Sequence, residues 1–225
     1  MGTKMRLIDK YRPTDLDGVI GQGPTVDALR SFLVSPHSAA FLFAGPTGTG
    51  KSSAALALAI ELGVDVGQHE FGGLHRIPAG EQDADAVRTL ARDMTLMPWS
   101  GSGWRVAIVD EADHVTKGAA QVWLSVLENL GLRRLVIFTT NDPAKLPGRF
   151  RDRCETFEFR GEPMLLGPAV QVRIDSIVGA EGILATPPRW QDLAEYQDGR
   201  MELSVRQVIQ ALDGWMRARS ERGAA

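Results

Sequence analysis

The sequence predicts an α/β fold: a P-loop core on a parallel sheet covered by helices, followed by a small all-helical lid domain. Three observations carry this. Gly45-Pro46-Thr47-Gly48-Thr49-Gly50-Lys51-Ser52 is a phosphate loop set between an apolar strand and an apolar helix. Short apolar runs alternate with segments of helical periodicity up to Phe159. After Gly161-Glu162-Pro163 the strand signal vanishes and only helical patterns follow.

In chain order, Val26, Leu29, Phe32 and Leu33 share one face and predict a helix from Pro24 to Val34. Ala39 to Ala44 reads as a buried strand, and Ala54, Leu56, Leu58 and Ile60 continue from the phosphate loop as a helix that stops at Gly63. A short strand is expected from Leu74 to Ile77. Asp83 or Asp85 then caps a helix carrying Val87, Leu90 and Met94, which Pro98 and the Gly101-Ser102-Gly103 turn end. Strands follow at Trp104 to Val109, Leu135 to Thr139 and Thr156 to Phe159, with a helix from Gly118 to Leu130 between the first two. The tail reads as helices over Pro168 to Val178, Pro188 to Tyr196 and Leu203 to Ala218, with Arg219 to Ala225 as a fraying end. The expected division is 1–161 for the nucleotide-binding core and 162–225 for the lid.

The phosphate loop marks a nucleotide triphosphate site. Its glycines let the backbone wrap a phosphate, consecutive N–H groups and a helix N-terminus face the anion, Lys51 reaches the terminal phosphates, and the Ser52 hydroxyl is a ligand for Mg²⁺ with Ser53 beside it. The second motif is Val106-Ala107-Ile108-Val109-Asp110-Glu111-Ala112-Asp113. A buried parallel strand delivers its carboxylates at the edge where the phosphate loop also emerges. Asp110 is expected to hold Mg²⁺ mostly through water, and Glu111 to polarise the water that attacks the γ-phosphate. Asp113 is expected to cap the following turn. Asn141, ending the next strand, either orients the lytic water or forms a turn before Asp142-Pro143. Arg149, Arg151 and Arg153 cluster at the head of the last strand, as a solvated loop or as a source of an arginine finger for a neighbouring subunit.

Composition sets the bounds. The 225 residues are 44% hydrophobic, enough for a sizeable core, and the net charge of −3 announces no global field for nucleic acid, so any such contact must be local. One cysteine, Cys154, excludes an internal disulfide and a cysteine-rich zinc module and suits a reducing compartment. No apolar run approaches the ~20 residues of a membrane span, and the N-terminus has no apolar leader core. A cytoplasmic protein without a membrane partner is the expectation.

The ordered set of words resembles the AAA+ ATPases, and among them the small motor subunits of DNA polymerase clamp loaders of the replication factor C and phage type, over nearly the whole chain. The words are Lys10-Tyr11-Arg12-Pro13, Val19-Ile20-Gly21-Gln22, the phosphate loop, Asp110 to Asp113, the helix from Ala119-Ala120-Gln121 to Leu127-Glu128, Asn141, and Arg153-Cys154 before an apolar strand. The resemblance implies ATP and Mg²⁺ as cofactors, with Tyr11, Arg12, Pro13, Val19 and Ile20 around adenine, Asn141 as sensor 1 and Arg153 as the finger donated in trans. It also implies a sensor 2 helix from Gly199 through Val208, with Arg206 on the phosphates. The implied partners are other AAA+ subunits, DNA and a sliding clamp. Duplex phosphates would meet helix N-termini, for which Thr116-Lys117-Gly118 is the better candidate and the Asp83 helix, opened by acids, the poorer.

Three departures stand out. Asp152 replaces the serine usual before the finger, so a carboxylate is placed to pair with Arg151 or Arg153. The four-cysteine zinc module of bacterial loaders is missing. The sequence ends after the lid, where those loaders continue into a collar, so the chain is either a truncated form or assembles through other surfaces. Another AAA+ DNA motor, such as a branch-migration subunit, and a non-catalytic nucleotide-dependent interaction module are the alternative readings.

Overall fold

A computed structural model describes residues 5–194 and 202–222, leaving aside the side chains of residues 69, 70 and 220–222. Five strands form one parallel sheet in the order β2-β3-β4-β1-β5: β1 Ala39–Ala44, β2 Leu74–Ile77, β3 Arg105–Val109, β4 Arg134–Thr140 and β5 Glu155–Glu158. The helices are α1 Leu7–Lys10, α2 Gly23–Val34, α3 Lys51–Glu61, α4 Ala84–Asp93, α5 Lys117–Glu128, α6 Gly148–Arg151, α7 Pro163–Ala180, α8 Trp190–Leu193 and α9 Val205–Arg222.

Period-2 alternation explains how both sheet faces are buried. Phe41, Phe43, Val106, Ile108, Leu135 and Ile137 pack on one face against Leu29, Phe32, Ala54 and Leu58 from α2 and α3. Leu42, Ala107, Val109, Val136 and Phe138 pack on the other against Val87, Leu90, Trp123 and Phe150 from α4, α5 and α6. The central strands are therefore apolar on both faces between their ends, and Phe41, Phe43, Ile108, Leu135 and Phe138 are fully buried. A third cluster joins Leu166, Val170 and Ile174 of α7 to Val208, Leu212 and Met216 of α9, and Leu7 of α1 belongs to it. The N-terminal helix thus packs with the C-terminal helices, a long-range contact that no local periodicity signals.

All five expected strands are present, with bounds shifted by one residue at most. Asp83, not Asp85, caps α4, its carboxylate accepting from the N–H groups of Asp85 and Ala86 at 2.9 and 2.8 Å. The helix expected from Pro168 begins instead at Pro163, where a proline costs no hydrogen bond, and runs past Pro168 to Ala180. The helix expected over Pro188 to Tyr196 is the short α8; Tyr196 lies outside the described residues, as do Gly199 and the ends Met1 to Lys4 and Gly223 to Ala225. Leu203 lies before α9 because its N–H is committed to Gly161 O at 2.7 Å, and α9 continues to Arg222 rather than fraying from Arg219. Arg219 stacks over Trp215, 4.2 Å from the ring centroid.

Candidate active site

The sheet order sets the site. β1 lies between β4 and β5, with β3 next beyond β4, so the carboxyl ends of β1, β3 and β4 open on one cleft. That cleft, counted with the open solvent at its mouth, spans about 970 Å³. Fifteen of the residues singled out in the sequence line it: Tyr11, Arg12, Pro13, Val19, Ile20, Thr47, Gly48, Thr49, Gly50, Lys51, Ser52, Ser53, Glu111, Asn141 and Arg206.

The loop from β1 into α3 doubles back on itself. Gly48 has φ +80°, and a Cβ there would fall 2.0 Å from Ser204 Oγ, so only glycine lets the segment before α9 come this close. Gly50 caps α3 in the left-handed region at φ 102°. Lys51 opens the helix and is 7% exposed. Its ammonium donates to Gly45 O at 2.6 Å, Pro46 O at 2.7 Å and Asn141 Oδ1 at 2.9 Å. Gly45 and Pro46 therefore stand behind the cleft wall and act through their carbonyls. Burial pushes the Lys51 ammonium down to about 8, with the Arg206 cation adding to the shift.

At the end of β3, Asp110 Oδ1 accepts from the Ser52 hydroxyl at 2.7 Å, and Oδ2 lies 3.0 Å from Arg76 Nη2. The two hard oxygens of Ser52 and Asp110 fit a magnesium ion, which takes one or two protein ligands and completes its shell with phosphate and water. Among the described residues, no group of three His, Cys, Asp or Glu side chains would hold a metal without such help. Glu111 has φ 54°, a left-handed conformation rare for a non-glycine residue, while Thr139 Oγ1 accepts its N–H at 3.1 Å. Its carboxylate is half exposed and 3.8 Å from His114 Nε2. The sharp turn lifts that carboxylate off the strand line into the cleft while Asp110 stays behind Ser52.

Asp113 does not cap the turn. Its side chain is 5% exposed and accepts from the Thr140 hydroxyl at 3.0 Å, tying the chain after β3 to the end of β4. Nor does Asp152 take Arg153. The Arg153 guanidinium donates to Arg149 O at 2.7 Å and forms an ion pair with Glu128, because Arg153 follows α6 and faces the C-terminal end of α5. Arg153 lies outside its own cleft. Thr116 and Lys117 also lie outside it, exposed at the start of α5, where the Thr116 hydroxyl accepts from Ala119 N at 3.2 Å.

Several lining residues had no signal of their own. Ile8 reaches the cleft only because α1 packs on α9, and Val205 and Ile209 flank Arg206 on the face of α9 that closes the apolar end. Thr139 and Thr140, polar residues ending an apolar strand, line the cleft beside Asn141. Gln82, 2% to 3% exposed like Gln22, donates to the Asp110 carbonyl, and Gln22 bridges Arg160 and the phosphate loop, donating to Arg160 O at 2.9 Å and Thr49 O at 3.4 Å.

Residues 41–161 match the ATPase family associated with various cellular activities, more than half of the chain. Among curated relatives, the replication factor C small subunit of Picrophilus torridus is 31% identical over 206 residues, 90% of this chain and 63% of the relative. That of Methanosarcina acetivorans is 28% identical over 88% of this chain and 58% of the relative, so the chain spans about three fifths of the length of such relatives. Two solved structures from Thermotoga maritima share the fold. A RuvB variant has a TM-score of 0.67 at 18% identity over 96% of this chain and 68% of that one, and a DNA polymerase III gamma subunit-related protein has 0.56 at 17% over 70% and 53%. With a glycine-wrapped lysine, a strand-end carboxylate pair and a polar strand end meeting in one cleft, the chain belongs to the AAA ATPase family.

Proposed function

We propose that this chain binds and hydrolyses ATP as a motor subunit of a clamp-loader-like assembly acting on DNA in replication. The observation that supports it best is the convergence of Lys51, Ser52, Glu111 and Asn141 on one cleft, with Asp110 bonded behind Ser52, while Arg153 stays outside. The proposed division of labour places a core over 1–161 and a lid over 162–225, with α1 packed against the lid. Tyr11, Arg12, Pro13, Val19 and Ile20 line the end of the cleft for adenine, together with Ile8, Val205 and Ile209. The backbone from Gly45 to Ser53 wraps the phosphates, and Arg206 adds a cation from the lid side.

Lys51 is buried and charged below its lowered pKa, and it turns to the β- and γ-phosphates by exchanging one or more of its bonds to Gly45 O, Pro46 O and Asn141 Oδ1. Asn141 holds that ammonium on its other side and is placed to orient the attacking water. Glu111 accepts the proton of that water as it adds to the γ-phosphorus and ADP leaves. Ser52 and Asp110 would hold Mg²⁺, which when bound neutralises charge on the phosphates. The arginine finger comes from a second subunit through Arg153. A purely structural nucleotide site would need no Glu111 lifted into the cleft by a strained backbone.

These assignments separate binding from chemistry. Lys51→Ala is expected to lose ATP binding by at least about a hundredfold, whereas Glu111→Gln keeps ATP and slows hydrolysis by a similar factor. Equilibrium binding and single-turnover rates distinguish the two, and wild-type hydrolysis by Glu111→Gln would remove Glu111 as the base.

The lowered Lys51 pKa gives a pH dependence with a definite sign. Bound phosphates raise that pKa, so below about 8, where the free protein already carries the proton, affinity is flat. Above it, binding must take up a proton, and ATP affinity falls with a limiting slope of about tenfold per pH unit. Calorimetry in buffers of different ionisation enthalpy should show proton uptake at pH 9 and much less at pH 7. Equal uptake at both would contradict the assignment.

Because Arg153 serves a neighbour, chains carrying Arg153→Ala mixed with chains carrying Lys51→Ala are expected to recover part of the ATPase that neither shows alone. Absence of recovery in a mixed oligomer verified by mass would exclude the trans role.

For DNA, the exposed start of α5 is the proposed phosphate contact, with Thr116 and Lys117 beside the helix N-terminus. Primed DNA and a sliding clamp are expected to raise the ATPase rate. Lys117→Glu should weaken DNA binding severalfold regardless of base sequence while ATP affinity holds; a loss confined to particular sequences would speak against a phosphate contact.

A further inference from the structure

Asp110 has both carboxylate oxygens engaged. Oδ1 takes the Ser52 hydroxyl at 2.7 Å and lies 3.4 Å from Thr139 Oγ1, and Oδ2 takes Arg76 Nη2 at 3.0 Å. Arg76 comes from β2, the strand at the sheet edge next to β3. Leu74, His75 and Ile77 of that strand are buried, and Arg76 is its single exposed position. The register places Arg76 beside Ile108, and the ladder continues to the site, with Asp110 N–H donating to Ile77 O at 3.1 Å. Arg76 is thereby fixed two residues from the metal carboxylate on a neighbouring strand rather than on a loop free to drift.

The two engagements differ in what they permit. A serine hydroxyl that donates its proton to Asp110 still has oxygen lone pairs for a metal, so the Ser52 bond is compatible with a loaded site. A guanidinium has only donors and is always charged. It therefore takes an Oδ2 lone pair that a metal-bound water would use, and it sets a positive charge where a divalent ion must approach. We propose that Arg76 is the internal counter-ion of the metal carboxylate, and that magnesium loads onto this site by displacing it. Arg76 thus sets the magnesium concentration at which the chain holds ATP in the loaded form. The inference rests on the proposed reading of Ser52 and Asp110 as the metal ligands.

The test is a magnesium titration of the full chain at fixed fluorescent ATP analogue, read as binding rather than turnover. Arg76→Ala and Arg76→Gln are expected to lower the half-saturating magnesium concentration about threefold or more, the scale of one partly exposed ion pair released. Arg76→Lys should fall between them and wild type, and binding in EDTA should be unchanged. Arg88→Ala removes the same charge from the exposed face of α4, where Arg88 pairs with Asp85, and should leave the midpoint in place.

Midpoints equal to wild type in both Arg76 variants, a rise in the magnesium needed, or an equal shift from Arg88→Ala would each overturn the proposal. If Arg76→Ala unfolds by circular dichroism, the glutamine and lysine variants decide. Asp110→Asn separates the two levels. If it keeps the wild-type midpoint, the metal assignment fails and the counter-ion proposal falls with it; if it abolishes the midpoint while the Arg76 variants match wild type, only the counter-ion proposal fails.

Discussion

A lysine ammonium taken almost wholly out of water at the start of α3 is the constraint around which the site is built. An isolated buried cation would be intolerable, and Lys51 is tolerated because three oxygens converge on it, from Gly45, Pro46 and Asn141. Those oxygens come from two places, the loop after β1 and the end of β4, so the cation fixes the loop to the sheet. The residual cost shows in the depressed ammonium pKa.

The parallel sheet makes that convergence possible. β1 and β4 pair along their whole length, from Ala39 with Leu135 to Ala44 with Thr140, so the phosphate loop and Asn141 leave the sheet at the same level. β3 pairs with β4 on the far side and delivers Asp110 and Glu111 one strand over. The threonines at the end of β4 then serve both neighbours. Thr139 holds the Glu111 N–H, and Thr140 holds Asp113 by its hydroxyl while accepting Gly45 N–H at its carbonyl at 3.2 Å. Three strand ends are thus cross-linked by short polar side chains just beyond the apolar core, which lets Glu111 keep a strained backbone.

What was legible in the sequence follows the range of the interactions. The central strands β1, β3 and β4 could be read because their middles are apolar on both faces, and the phosphate loop because its glycine spacing is dictated by local backbone geometry. Asp113 reads locally as a turn cap because its partner, Thr140, is 27 residues away and only the β3–β4 pairing brings them together. Asp152 was a plausible local partner for Arg153, but the carboxylate that reaches it, Glu128, belongs to another helix. Ile8 at the cleft and Leu7 among the α7 and α9 side chains carry no sequence signal, since four residues of helix have too little periodicity to say what they pack against. The start of α7 was placed late because Pro168 reads as a helix opener, when Pro163 already fills that role.

The same long-range packing decides what can move. The cleft has one side made of strand ends and a second side made of α1 and the start of α9. Arg206 N–H reaches Gly48 O at 3.4 Å, a long bond, while Leu203 N–H holds Gly161 O at 2.7 Å. A second strap runs through Tyr11, whose hydroxyl donates to Glu181 at 2.9 Å and whose carbonyl accepts from Arg173 at 2.8 Å. Tyr11 is therefore anchored to α7 and the residue after it while its ring side lines the cleft. Any shift of the C-terminal helices against the sheet must carry Tyr11, Val205 and Arg206 with it, so the shape of the cleft depends on the position of those helices.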